Sequence, residues 1–346
     1  MAQTQDSLEL DKIDRMHGSD PPAPPPLIRR LSDPKTLLSF GLGLAILVFF
    51  LSRFDVDFYA VWEQLQRTDP ILFVAALAVY YSTFAARSLR WRKLLENAMP
   101  VKSRRWPVPG LLGLTHILLV SWLVNCVLPA KLGDAYRSYL LKVRVGGSFS
   151  LAVGTVFAER ALDLLTLFLL LIVSAVLAFG SRLPSASEPV LGFGLLLAFA
   201  VIGGLLAMRH FGNRIEALLP LRLKPIYRRL QEGTLGAFTA GAVPLLASTS
   251  VSVWILEASR LLLISRALHI DLPLALALFV ALAGSLLTAV PALPGGLGLV
   301  ESGTIAVLLW FGVDQNLAVS MAFLDRLISY WSVILVGLVA YLIPQK

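Results

Sequence analysis

The chain has 346 residues, 57% of them hydrophobic and 15% charged, with a formal net charge of +8. A soluble domain carries about 25% charged residues, so this composition excludes an ordinary soluble enzyme and points to a polypeptide that resides in lipid. The single cysteine, Cys126, lies inside an apolar run, which excludes a disulfide framework.

First in chain order is a polar tail, Met1 to Asp33, containing "PPAPPP". It has too little apolar surface to fold, so residues 1–35 are expected to be a disordered cytoplasmic leader with an extended proline run. No small-residue cleavage site follows the first apolar run, so no signal peptide is expected. Apolar runs then occupy 36–51, 71–86, 110–128, 164–180, 190–208, 245–264, 274–290, 299–312 and 316–343. Several approach the ~20 residues that cross a hydrocarbon core. No soluble stretch is long enough for a second domain, which leaves one transmembrane domain over 36–343.

Charge placement orients these runs. Arg87, Arg90, Arg92, Lys93, Lys102, Arg104 and Arg105 form one basic block; Arg209, Arg214, Arg222, Lys224, Arg228 and Arg229 form another. Segments 52–69, 181–189, 269–273 and 312–315 are neutral or acidic on balance. By the positive-inside rule the basic blocks are cytoplasmic and the poor segments external. The blocks abut spanning helices and carry no nucleic-acid-binding motif, so they are read as membrane-surface charge.

Counting crossings then exposes two irregular segments. If 110–128 spanned fully, the second basic block would lie outside. If 110–145 enters and returns on one side, both blocks are cytoplasmic. The break at "LPAKLG" is therefore expected at the tip of a re-entrant hairpin, where Pro129 offers no N–H and Gly133 permits a turn. Continuing the count makes 274–312 a second hairpin, around "PALPGGLG", entering from outside. The expectation is an all-α polytopic membrane protein with about six spanning helices and two re-entrant hairpins. Its halves, 36–180 and 190–343, form an inverted repeat with both termini cytoplasmic.

Short motifs repeat accordingly. "LPAKLGDAYR" from Leu128 parallels "LPGGLGLVES" from Leu293, and "AERALDLL" parallels "FLDRLISY". The latter pair places Glu159-Arg160 and Asp325-Arg326 about 15–18 Å into their helices. Asp134, Arg137, Glu159, Arg160, Asp163, Glu257, Arg260, Glu301, Asp325 and Arg326 all fall in or beside apolar runs. At roughly 3 kcal/mol for a charge at mid-membrane, ten facing lipid would cost about 30 kcal/mol, so most must pair or face a wet cavity. Asp134 with Arg137 and Glu257 with Arg260 are three apart and can pair on one helical face.

Broken helices also free backbone donors that bind phosphate or carboxylate. Asn125 and Lys131 add a donor and a cation at the first tip, and "PGGLG" leaves its backbone open to a headgroup. Trp91, Trp106, Trp122 and Tyr136 are assigned to packing or interface belts, and His116 to a bond with a neighbouring helix. With four scattered histidines there is no metal site, and no phosphate loop, dinucleotide fingerprint or serine-nucleophile elbow is present.

"RSLRWRKLL", "NCVLPAKLGDAYRSYLL", "FAERALDLL" and "PALPGGLGLVESG" resemble the flippase-like integral membrane family that includes the membrane region of bacterial lysylphosphatidylglycerol synthase/flippases. The likeness covers about 36–343. Its motifs fall on Asn125, Pro129, Gly133 and Asp134; on Glu159, Arg160 and Asp163; and on Pro294, Gly295, Gly296, Gly298 and Glu301. The resemblance implies movement of a polar-headed lipid (an anionic or aminoacylated phospholipid, or another such lipid) across a bacterial plasma or inner membrane. No soluble aminoacyl-transferase domain accompanies these motifs, so lysyl transfer is not expected. The expected substrate-binding set is those residues with Arg87, Arg90, Lys131, Arg137, Glu257, Arg260, Asp325 and Arg326, with no catalytic residue and no cofactor. The alternatives are an accessory subunit of a lipid- or glycolipid-modifying enzyme and a membrane-embedded transferase using the acidic cluster as acid and base. "NRIEALLPLRLKPIYRRL" reads as an amphipathic basic segment at the anionic inner leaflet.

Overall fold

A computed structural model describes residues 34–53, 56–99, 107–180, 188–288 and 293–343. The expected polar tail lies outside the described residues, as does the part of the first basic block from Lys102 to Arg105. Every regular element among the described residues is helical. In chain order these are α1 (Pro34–Leu51), α2 (Phe58–Gln66), α3 (Pro70–Ala98), α4 (Leu111–Val127), α5 (Leu132–Val145), α6 (Phe149–Phe179), α7 (Glu188–Leu218), α8 (Lys224–Gly236) and α9 (Val243–Ala267). There follow α10 (Leu274–Leu287), α11 (Leu299–Trp310), α12 (Gln315–Arg326) and α13 (Ser332–Leu342). A five-residue π-turn, Leu327–Trp331, joins the last two into one long rod.

Local chemistry sets the starts. Asp69 accepts from the Ile71 and Leu72 amides with Pro70 at the first helical position, and Asp314 does the same for Asn316 and Leu317. Asp57 caps α2 through the Tyr59 and Ala60 amides. Five helical rods are long and apolar enough to cross a membrane: Pro70–Ala98, Phe149–Phe179, Glu188–Leu218, Ala240–Ala267 and Gln315–Leu342. The sixth expected span, at Thr36–Leu51, belongs by length with the shorter apolar helices.

Both expected hairpins are present. Arg144, at the end of α5, donates to the Gly113 carbonyl at the start of α4 (3.0 Å), while Gly133 beside the break meets Asn125 (2.8 Å). The arms therefore run antiparallel. At 1.5 Å per residue the 17-residue α4 and 14-residue α5 reach roughly 25 and 21 Å, short of a ~30 Å hydrocarbon core. In the second hairpin Phe279 of α10 meets Phe311 just beyond α11, and Gly284 faces Thr304.

The halves exchange contacts as an inverted repeat requires. The equivalent helices α3 and α9 pack antiparallel: the Asp69 amide donates to the Ala267 carbonyl (3.0 Å), and Asn97 donates to the Ala237 carbonyl just before α9 (2.9 Å). Helix α2 lies on α12 as α8 lies on α6, and α4 packs on α13 as α10 packs on α6. The exchange fails at the first helix of each half. Helix α1 leans on the second hairpin, whereas α7 lies along α6 and α8.

Candidate functional site

The two breaks share one backbone conformation. Ala130 (φ 62°) and Lys131 (φ 51°) hold left-handed geometry at the first tip, and Gly295 (φ 55°) and Gly296 (φ 70°) hold it at the second. Glycine adopts this region freely, while an L side chain is strained there by roughly 1–2 kcal/mol. Each tip hands the chain to a helix whose first turn carries an acid, Asp134 or Glu301.

Each acid meets the arginine of an acid–arginine pair. In half one, Arg160 grips Asp134 through Nε and Nη2 (2.8 and 2.9 Å) and donates to Asp163 (3.2 Å). Glu159 receives Arg137 (2.8 Å) and Arg90 (3.1 Å), and Arg90 also pairs with Asp163 (2.7 Å). In half two, Arg326 grips Glu301 (2.8 Å), and Arg260 bridges Glu257 (3.1 Å) and Asp325 (3.0 Å). Arg87 reaches Glu257 from α3 (3.2 Å). The clusters adjoin across α3 and α9, where Arg90 donates to Ser250 (2.9 Å). Each cluster sets three arginines against three carboxylates.

The local pairs expected from spacing differ in weight. Glu257–Arg260 forms as expected, but Arg137 lies 3.8 Å from Asp134 and makes its close contact across helices with Glu159. Arg87 and Arg90 are also misplaced by the positive-inside count, because both are buried (3% and 0% exposed). Helix α3 is 29 residues long, so these arginines sit within the bundle while Arg92 continues toward its end. Trp122 stacks on Arg87 (4.8 Å) and Trp91 on Arg137 (4.9 Å), so two residues assigned to packing line the charged cluster. Sequence spacing held no signal for this, since each contact joins side chains on two different helices. His116 bonds the Ala340 carbonyl as expected (2.7 Å).

Most tip residues have a packing account. Asn125 Oδ1 accepts the Gly133 amide, and a Cβ on Gly133 would sit 2.0 Å from the Ser121 carbonyl oxygen. Gly298 faces Gly43 of α1, where a Cβ would lie 2.0 Å from the Gly43 oxygen. Gly295 lies under the Tyr330 ring, and Arg326 donates to the Gly295 and Gly296 carbonyls (3.2 and 3.1 Å). Pro294 is buried, whereas Pro129 is half-buried and Ala130 exposed. The second tip is thus covered by α1 and stapled by Arg326. The first is open: the Arg160 side chain is 27% exposed and Asp134 16%, against 0–1% for Arg90, Arg137 and Glu159.

Chemically, this is a buried guanidinium–carboxylate lattice in which arginines and carboxylates balance, with its most exposed edge at Asp134 and Arg160 beside a helix break. Guanidiniums in such a lattice present forked donors that match phosphate or carboxylate oxygens.

Comparisons with known proteins fit this architecture. The family model for the lysylphosphatidylglycerol synthase TM region matches residues 37–337. A UPF0104 membrane protein of Methanocaldococcus jannaschii is 36% identical over 223 residues, 64% of this chain and 94% of that protein. A UPF0104 membrane protein of Methanothermobacter thermautotrophicus is 26% identical over 321 residues, 86% of this chain and 91% of that protein. Glycosyltransferase AglD of Haloferax volcanii is 25% identical over 327 residues, 84% of this chain but 51% of that protein. No solved structure matches the chain.

Proposed function

From the premise that this multi-pass membrane chain belongs to the lysylphosphatidylglycerol synthase TM region family, we propose that it moves a polar-headed lipid between leaflets. The observation that carries this reading is the charge lattice meeting two helix breaks, with its open edge at Asp134 and Arg160. Stability alone gives little reason for such a lattice, because a buried ion pair is often no better than well-packed apolar residues. A headgroup entering at that edge exchanges water for guanidinium donors while its acyl chains stay in the bilayer. The freed backbone groups at each tip are tolerated because protein or a wet cavity covers them. Both termini are cytoplasmic in this reading, in a plasma or inner membrane. Arg92, Lys93 and the basic segment around α8 then face the anionic leaflet.

The protein reconstituted into liposomes with a fluorescent phospholipid tests this reading. Loss of the inner-leaflet pool to an external quencher, faster than in empty liposomes, is the expected result. Equal rates would end the translocase reading.

One observation favours a second reading. The chain spans about half the length of the Haloferax glycosyltransferase, so a domain of this kind accompanies a glycosyltransferase in one relative. In that reading the protein is the membrane partner of a separate lipid- or glycolipid-modifying enzyme. Co-purification of such an enzyme, without lipid movement by the chain alone, distinguishes it.

A further inference from the structure

The arginines in the lattice leave one cation unaccounted for. Arg87, Arg90, Arg137, Arg160, Arg260 and Arg326 each have a carboxylate partner within 4 Å. Among the described residues the Lys131 ammonium makes neither a hydrogen bond nor an ion pair within 4 Å, although Asp134 and Arg160 are its neighbours at the first tip; only its backbone carbonyl is engaged, accepting the Asp134 amide (3.1 Å). The acids there are already taken: both oxygens of Asp134 bind Arg160, and Asp163 is shared by Arg90 and Arg160. The tip therefore holds one positive charge in excess. In addition, Nε and Nη2 of Arg137 are buried and lack a hydrogen-bond partner.

Lys131 is also where a lysine is sterically unwelcome. It sits at φ 51° in the position that Gly296 fills, at φ 70°, in the second tip. Glycine would adopt this geometry without strain. The backbone thus gains nothing from a lysine there, and the side chain stands beside Asp134 and Arg160 at the exposed edge of the lattice. An unneutralised ammonium at membrane depth is unfavourable, and an anion held beside it would relieve that cost.

We propose that Lys131 selects the headgroup, and that the lipid admitted at the first tip carries a net negative phosphate. This rests on the translocase reading and narrows its substrate. A phosphate diester supplies one negative charge and acceptor oxygens for the ammonium and for the exposed edge of Arg160. A headgroup that also carries amines, and is net positive, meets repulsion from both. The class therefore comprises a glycerophospholipid with an uncharged polyol head and a polyprenyl phosphate carrying a sugar, and excludes a lysylated head.

Lys131→Gly is the informative variant, because it removes the charge and relieves the backbone. The full chain is reconstituted in phosphatidylcholine liposomes with fluorescent phosphatidylglycerol, lysyl-phosphatidylglycerol or a polyprenyl phosphate sugar. Lipid retained by the purified protein is read in parallel by native mass spectrometry. The wild type is expected to move and retain the anionic lipids in preference to the lysylated one, and the faster of the two anionic probes identifies the source. Lys131→Gly is expected to melt no earlier than wild type yet to lose about tenfold in anionic-lipid transport and retention, as for one charge-assisted hydrogen bond. Lys131→Glu is expected to invert the preference. Equal retention of anionic and lysylated lipid by wild type and Lys131→Gly overturns the proposal, whether or not any lipid moves. Absence of movement with selective, Lys131-dependent retention sinks the translocase reading and leaves the anion site standing.

Discussion

Arg326 offers the sharpest test of how the second tip is held. Its guanidinium makes two contacts with Glu301 (2.8 and 3.2 Å) and donates to the carbonyls of Gly295 and Gly296. Both partners of the ion pair are about nine-tenths buried. Arg326→Met leaves Glu301 as an orphaned buried charge, which costs about 3–5 kcal/mol. It also strips a donor from two tip carbonyls at about 1–3 kcal/mol each. The loss is at least about 5 kcal/mol, comparable with the whole net stability of many folded proteins. Arg326→Met is therefore expected to give little folded protein in detergent, measured by fluorescence-detected size exclusion after heating. Arg326→Met with Glu301→Leu removes the orphaned charge and keeps only the carbonyl deficit, so the double variant should melt later than the single. If the two melt together, or if Arg326→Met melts like the wild type, the staple is not what secures this tip.

Three further outcomes follow from the same geometry. Gly133→Ala should lower folded yield sharply, because the new methyl would meet the Ser121 carbonyl at 2.0 Å; normal yield would show that the hairpin arms can part. Ala130→Gly should raise the melting temperature by an amount equivalent to about 1 kcal/mol, since glycine removes the left-handed strain, and a fall would locate an unseen contact of the methyl. A cysteine at Arg144, in a background lacking Cys126, should react with a membrane-impermeant maleimide from the cytoplasmic side only. Labelling from outside would reverse the first hairpin.

The hairpins were legible because charge parity is a global constraint: a single misplaced crossing moves every later basic block to the wrong side. The acid–arginine pairs were legible because ionised groups at membrane depth are costly enough to demand an explanation. What escaped the sequence is tertiary in origin. Arg87 and Arg90 look like the start of a basic block, and only the antiparallel meeting of α3 with α9 and α6 turns them inward. The conformation of Ala130 and Lys131 carries no residue signal, since glycine marks it only in the second tip. Gly43 likewise sits in an unremarkable apolar run, and its closeness to Gly298 follows from where α1 docks. Helix α2 was hidden because nine residues with a charged, aromatic surface match neither a span nor a loop.

The π-turn after Arg326 has a mechanical consequence. It presents Tyr330, whose hydroxyl donates to the Cys126 carbonyl at the end of α4 (3.0 Å) while its ring lies on Gly295. One side chain thus bolts together the two places where the membrane helices are cut. A ligand that shifted the first tip through this contact would change how readily α1 seats on the second, and seating α1 would then change that ligand's affinity by the same factor. Gly43→Leu, which would lever α1 off the second tip from a position well before any lattice arginine in sequence, is where that reciprocity would be read.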